Sequence, residues 1–380
     1  MSNTSYASQY SYARGCFEGL LVGDAAGATL EFFHDDITDG VVRMAMAMPG
    51  GGALRVGPGQ ITDDSELALS LARALLTSEG PHAGLPLDAI ATGYATWFQS
   101  GPFDIGRTCR NAFALGAPAA RMMRSASQHN MASEANGALM RIAPLAIWAT
   151  LGPTLGPTRA GGPAEGHGGL TEASDDALAE FARLDAMLSH PSQVCQDCNA
   201  VYVIALSALI RAHAGSTRER VATALRHVHS YLGSWQVHDT VSGWLAEAAL
   251  PDALARLDCT LNMGHVRYAF TMAFHFLSHF EMYGSYERVL FETLLKGGDT
   301  DTNAAIVGAM AGAIFGIHGT NGIPRSMADR VFAFDCTAVD TPRRQEPGGA
   351  DTGRACRGHG RPAEFSARNA LDFIAACFPM

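Results

Sequence analysis

Residues 296–316, KGGDTDTNAAIVGAMAGAIFG, constrain the fold of this chain more than any other segment. After a polar opening the run is apolar, with Gly308, Gly312 and Gly316 at intervals of four. Residues four apart lie on one face of an α-helix, and a stripe without side chains lets another backbone approach closely. The segment therefore predicts a buried helix that begins with two closely spaced carboxylates, Asp299 and Asp301.

A second acidic helix start lies earlier in the chain. Residues 62–65, TDDS, open the amphipathic segment DSELALSLARALL (64–76), which predicts another helix. One capping residue suffices at a helix start, so both clusters offer more oxygens than capping uses. If they meet, oxygen ligands favour Mg²⁺ or Mn²⁺ over Zn²⁺, and four carboxylates favour two ions. The candidate metal ligands are Thr62, Asp63, Asp64, Asp299, Asp301 and Thr302.

Most of the remaining chain also has helical periodicity, and strand patterns with hairpin turns are scarce. Further helices are predicted over residues 86–98, 174–189, 199–214, 217–231, 239–256, 266–282, 285–295, 303–315 and 367–378. Residues 152–169 and 340–362 are rich in Gly and Pro, and this composition predicts two surface insertions. We therefore expect one all-α domain over residues 1–380, with a core from about residue 12 to about residue 335.

Composition narrows the classes of function. The chain has 380 residues and a formal charge of −10, and no Lys/Arg run resembles a nucleic-acid patch. The start lacks an apolar signal, and the apolar run 199–210 is shorter than the ~20 residues of a membrane span. We expect a cytoplasmic protein without nucleic-acid or membrane partners.

Eight cysteines in so long a chain favour reduced thiols over a disulfide framework. Cys195 and Cys198 have the spacing of half a zinc site or of a redox motif. No second CxxC completes a zinc site, and thiols are common small apolar fillers in helices. A structural role is the favoured interpretation of this pair.

Six motifs in order carry a resemblance. They are GDAAGATLEF (23–32), PGQITDDSELAL (58–69), SGPFDIGRTCRNAF (100–113), ANGALMRIAPLAI (135–147), LSHPSQ (188–193) and GGDTDTNAAIVGAMAGAIFG (297–316). Their order and content resemble the ADP-ribosylglycohydrolase family, which includes dinitrogenase-reductase-activating glycohydrolases and ADP-ribosyl-acceptor hydrolases. The TDD and GGDTDT blocks are specific in combination, and the motifs span most of the chain.

The resemblance implies a compact, all-α orthogonal bundle that hydrolyses the glycosidic bond between ADP-ribose and a modified protein side chain. It implies two Mg²⁺ or Mn²⁺ ions held by the six candidate ligands, with ADP-ribose as product. It places Glu31 near the ribose and a metal-bound water, and Asp104 close to that water or the ribose. It places Asn136, Gly137 and His190 along the ADP-ribose groove.

The acceptor expected from the resemblance is arginine, although a serine linkage or a small metabolite stays open. An alternative of another class is a non-catalytic ADP-ribose-binding or immunity-type protein that acts by occlusion. The complete set of six ligands disfavours a degenerate relative. A two-metal phosphoesterase is a third alternative, but such enzymes often mix His with Asp ligands and neither cluster contains His.

Overall fold

A computed structural model describes residues 3–33, 35–152, 173–213, 215–338 and 357–378. These residues form eighteen α-helices and no β-sheet. The first nine are α1 (Asn3–Gly27), α2 (Asp39–Met46), α3 (Asp63–Leu75), α4 (Leu87–Gln99), α5 (Arg107–Phe113), α6 (Ala119–His129), α7 (Ala143–Leu151), α8 (Asp175–Met187) and α9 (Gln193–Arg211). The others are α10 (Thr217–Ser234), α11 (Asp239–Ala248), α12 (Ala253–Arg256), α13 (Val266–Ser278), α14 (Phe280–Tyr283), α15 (Tyr286–Leu295), α16 (Thr300–Phe315), α17 (Arg325–Ala333) and α18 (Asn369–Cys377). The predicted all-α class is confirmed.

The predicted helices are all present, with two of them divided. The predicted 239–256 helix is α11 and α12, separated around Pro251, whose ring cannot continue a helix. The predicted 266–282 helix is α13 and α14, which meet at His279. The missed helices are mostly short or lack a polar face. Every residue of α7, for example, is buried, so its sequence has no amphipathic period.

Helices α1 and α16, which each carry glycines at intervals of four residues, pack against each other at the centre of the molecule. Their contacts run in opposite directions, since Gly15 faces Gly312 and Gly27 faces Thr300. A Cβ on Gly19 would lie 2.2 Å from the carbonyl oxygen of Gly308. This approach requires glycine, and it brings the acidic start of α16 to the C-terminal end of α1.

One hydrophobic cluster extends from Ala13 to Phe378, and the C-terminal helix α18 contributes to it. Residues 357–362, predicted as part of an insertion, are packed against the helical body, and Arg361 is buried there. The rest of that insertion (340–356) and residues 153–169 of the other lie outside the described residues. The assignment of residues 1–380 to one domain stays a prediction.

Helix α9 is longer than its predicted segment because it begins six residues earlier, at Gln193. By length and composition alone, it is the one described helix that could cross a membrane. However, 89% of the most apolar 18-residue stretch of α9 is buried inside the protein, as is typical of a core helix.

Candidate active site

The acidic starts of α3 and α16 meet beside the end of α1, as the metal-site hypothesis requires. Ligand oxygens of Glu31, Asp299 and Asp301 lie within 4.8 Å of one another. Asp63 and Thr302 line the same cavity. Of the described residues, this is the one group of three or more His, Cys, Asp or Glu side chains close enough to hold a metal ion.

Thr62 and Asp64 lie deeper than the cavity wall, and both are fully buried. The Thr62 hydroxyl lies 2.8 Å from Asp24 Oδ1 and 3.1 Å from Asp64 Oδ2. Asp64 Oδ1 is buried without a hydrogen-bond partner, and so is Glu31 Oε2. Buried carboxylate oxygens without partners are costly, so these two atoms have the chemistry of cation ligands.

Asp24, which sequence reasoning left without a role, organises the start of α3. Its carboxylate accepts hydrogen bonds from the backbone N–H of Thr62 (3.0 Å) and of Ser65 (3.1 Å). The Ser65 hydroxyl also donates to it. The available signal was an acid in the middle of the apolar run GLLVGDAAGATLEFF, since such an acid is buried only where it finds donors.

Among the described residues, no carboxylate of this cluster forms an ion pair with a Lys, Arg or His side chain. Burial, with repulsion from Asp104 and Asp299, raises the pKa of Glu31 to about 8. Burial and Asp299 raise the pKa of Asp104 to about 6, although Asp104 hydrogen-bonds with Asp63. Burial and neighbouring carboxylates likewise raise the pKa of Asp301 well above its ordinary value. A bound cation would relieve this repulsion.

The loop with the predicted substrate-binding residues Asn136 and Gly137 is fixed from several sides. The Asn136 amide donates to Asp299 Oδ2 at 2.8 Å, and its backbone N–H donates to the Gly264 carbonyl at 2.9 Å. The thiol of Cys195 donates to the carbonyl of Ala135 at 3.4 Å. This buried contact suits the favoured structural role of Cys195.

His190 lines the cavity but is fully buried. Burial and the nearby Arg141 lower the pKa of His190 to about 3, so its imidazole is neutral. Its Nδ1 lies 2.8 Å from Ser189 Oγ, and its Nε2 has no partner. A Cβ on Gly137 would lie 2.9 Å from the His190 ring, so the loop passes over the histidine only as glycine.

Arg141 is a second buried residue whose role was not foreseen. Its guanidinium pairs with Asp185 at 3.2 Å and donates to the Gly137 carbonyl at 3.3 Å. The same group lies 4.3 Å from the ring centre of Tyr94. Arg141 thus anchors the Gly137 loop to the core and does not line the cavity.

The family model described as ADP-ribosylglycohydrolase matches residues 5–344. The chain belongs to the ADP-ribosylglycohydrolase family. It is therefore an enzyme that hydrolyses a glycosidic bond of ADP-ribose.

Among curated relatives, the ADP-ribosyl-[dinitrogen reductase] glycohydrolase of Rhodospirillum rubrum is 28% identical over 313 residues. That alignment covers 82% of this chain and 87% of the relative. The ADP-ribosylarginine hydrolase Tri1 of Serratia proteamaculans is 36% identical over 110 residues, 26% of this chain and 27% of the relative. A solved structure titled ADP-ribosylglycohydrolase-related protein complex superposes with a TM-score of 0.62 at 23% identity, covering 86% of this chain and 93% of that one. This likeness confirms the fold.

The cavity of this ADP-ribosylglycohydrolase has a volume of about 700 Å³, within the range of small-molecule sites. Its wall includes all of the predicted catalytic and substrate-binding residues: Glu31, Asp104, Asn136, Gly137 and His190. Arg107 and His129, which were not singled out from sequence, also line it. The site therefore joins an acidic cluster to a wall that carries cationic and neutral polar groups.

Proposed function

We propose that this ADP-ribosylglycohydrolase removes ADP-ribose from an arginine side chain of a modified protein. The observation that supports this most is the convergence on one cavity of carboxylates from the segment after α1 and from the starts of α3 and α16. A cluster of carboxylates repels the dianionic ADP-ribose unless cations are bound between the carboxylates. The same geometry makes a purely non-catalytic binding protein the weaker hypothesis.

The donor set fits two hard divalent cations. The six proposed ligands offer carboxylate and hydroxyl oxygens, and Oδ1 of one of them, Asp64, is buried without a hydrogen-bond partner. Mg²⁺ or Mn²⁺ bound there would lower the pKa of a water molecule and polarise the ribose hydroxyls. The proposed ligands are Thr62, Asp63, Asp64, Asp299, Asp301 and Thr302.

Glu31 and Asp104 are the proposed proton-transfer residues. Both line the cavity, and their pKa values are raised to different extents, to about 8 and about 6. These values apply to the site without bound cations, so the assignment with cations present rests on the position of both carboxylates in the cavity wall. In our proposal water attacks the anomeric carbon, Asp104 accepts its proton, and Glu31 protonates the departing guanidine nitrogen. The products are ADP-ribose and free arginine side chain.

The diphosphate is proposed to lie along the Asn136–Gly137 loop and beside Arg107. A neutral His190 cannot supply positive charge, but its free Nε2 can make one hydrogen bond to the ligand. Arg107 supplies the charge that a diphosphate requires. An arginine acceptor is supported by the acidic wall, which attracts a guanidinium, and by the name of the Tri1 relative.

The deciding experiment is release of ADP-ribose from an arginine-ADP-ribosylated protein, in Mg²⁺, in Mn²⁺ and in EDTA, beside a serine-linked substrate. We expect release from the arginine substrate that EDTA abolishes. Release from the serine substrate alone would overturn the acceptor assignment. No release from either, with ADP-ribose still bound in calorimetry, would overturn catalysis on these linkages. We also propose a cytoplasmic location, which fractionation of the native cell would check.

A further inference from the structure

Residues 357–361, near the C-terminus, contact two segments that carry acidic residues of the active site. One segment, residues 54–66, carries Asp63 and Asp64, and the other, residues 100–104, carries Asp104. The ADP-ribosylglycohydrolase match ends at residue 344, so residues 357–361 lie beyond it. We call these five residues the C-terminal clamp.

His359 makes the contact closest to the cavity. Its ring stacks on the ring of Phe103, with 4.1 Å between centres and 7° between planes. Phe103 directly precedes Asp104, which lines the cavity. His359 Nε2 lies 2.7 Å from the carbonyl oxygen of Leu54, and since a carbonyl only accepts, Nε2 carries the hydrogen. His359 therefore joins the 54–66 segment to the peptide that holds Asp104.

The side chain of Gln60 forms hydrogen bonds with the backbone of the clamp. It accepts from the His359 N–H at 2.8 Å and donates to the His359 carbonyl at 2.9 Å. Its Oε1 also accepts from the N–H of Gly57 at 2.9 Å. A Cβ on Gly358, whose φ is +79°, would lie 2.2 Å from that same oxygen. The register of the clamp is thus fixed two residues before Thr62.

Arg361 completes the clamp on the far side. Its buried guanidinium pairs with Glu66 at 2.8 Å, in the first turn of α3. It also donates to the hydroxyl of Ser100 at 2.8 Å, at the end of α4. Trp97 donates to the same Glu66 carboxylate at 2.7 Å. Arg361 therefore ties the helix of Asp63 and Asp64 to the start of the segment that carries Asp104.

We infer that His359 is a positioning residue for Asp104, acting through Phe103. Asp104 sits on a short irregular segment, and its carboxylate is hydrogen-bonded with Asp63, on the other clamped segment. Without the stack, Phe103 loses its covering ring and the 101–106 backbone gains freedom. The inference rests on the proposed function, in which Asp104 accepts a proton from water.

The test compares His359→Ala with His359→Phe, which keeps a ring on Phe103. A displacement of ~1 Å at a catalytic group can cost ~100-fold in rate. We expect His359→Ala to lower kcat at least about tenfold with KM within about threefold, because Asp104 acts in the transition state. His359→Phe should retain most of kcat. Phe103→Leu, which loses the stack from the other side, should reproduce the loss.

Hydrogen exchange measured by mass spectrometry gives a readout without catalysis. Residues 101–106 should exchange faster in His359→Ala, with the remaining peptides unchanged. Trp235→Ala is the matched control, since it removes a stacked ring at the end of α10, away from the cavity, and should alter neither kcat nor this exchange. Unchanged exchange over 101–106, or a raised KM at normal kcat, would overturn the inference. An inactive wild type would refute the proposed function, and exchange would then decide the positioning alone.

Discussion

Replacing Gly23 by alanine should separate α1 from α16 and remove most of the activity. A Cβ at Gly23 would lie 2.0 Å from the carbonyl oxygen of Ala304, whereas such carbon–oxygen contacts lie at about 3.3 Å or more. Both partners belong to helix backbones, so the helices themselves must move apart by roughly 1 Å. Overpacking typically costs ~1–3 kcal/mol, and the upper end applies where the obstacle is backbone. For a chain of 380 residues, about 3 kcal/mol lowers Tm by about 4 °C.

The same displacement should reach the active site, because Asp24 and Asp301 lie on the two helices that separate. Thermal melts and ADP-ribose release, measured on the same preparations, check both effects. Gly243→Ala in α11 is the matched control, since a Cβ there meets nothing within 4 Å. It should stabilise by about 0.5–1 kcal/mol through the unfolded chain. If Gly23→Ala melted within about one degree of wild type, the close packing of α1 on α16 would be refuted.

Three further outcomes are expected. Asp301→Ala should abolish ADP-ribose release with little loss of thermal stability, because it removes one buried carboxylate from a repulsive cluster. The control Asp329→Ala, at an exposed carboxylate, should change neither ADP-ribose release nor thermal stability. In EDTA, wild type should lose stability relative to Glu31→Gln between about pH 5 and pH 8. Folding raises the pKa of Glu31 from 4.5 to about 8, so its contribution to stability is complete below pH 4.5 and is lost as the pH rises through about 8. A difference in Tm between the two proteins that stays constant with pH would contradict this. We expect a modified protein to dock against Leu261, a side chain that is 65% exposed and directly precedes Asn262 of the cavity wall; Leu261→Ser should then lower kcat/KM for that protein about threefold or more but not for ADP-ribosyl-arginine. Met282→Ser, in α14, is 61% exposed and has no cavity-lining residue beside it in sequence, so it should change neither value; equal losses on both substrates from Leu261→Ser would argue against docking at Leu261.

Sequence patterns predicted the helices with a clear polar face and the two acidic helix starts. They could not predict α7, because a helix that is buried on all sides has no period. They also could not show that the charge of His190 is removed by burial beside Arg141, since that depends on the packing of distant segments. The contact of His359 with Phe103 spans more than half the chain and leaves no local pattern.

The glycine stripe of α16 was visible in the sequence, but its partner was not identified there. The structure shows that α1 carries a matching stripe at Gly15, Gly19, Gly23 and Gly27. Two stripes with the same period fix both the distance and the register of the helices. Register matters here because it sets Glu31, just beyond α1, against Asp301 in the first turn of α16.

The placement of the acids also explains why capping does not account for them. Thr62 and Asp299 occupy the N-cap positions of α3 and α16, yet neither side chain makes a capping hydrogen bond. At α3, the backbone N–H groups of Thr62 and Ser65 are satisfied instead by Asp24 from α1. Because another helix supplies the cap, Asp63 remains free to line the cavity. A buried acid outside the cluster thus leaves the acids within it available for ligand binding. Removal of Asp24 should therefore disturb the active site more than the overall fold.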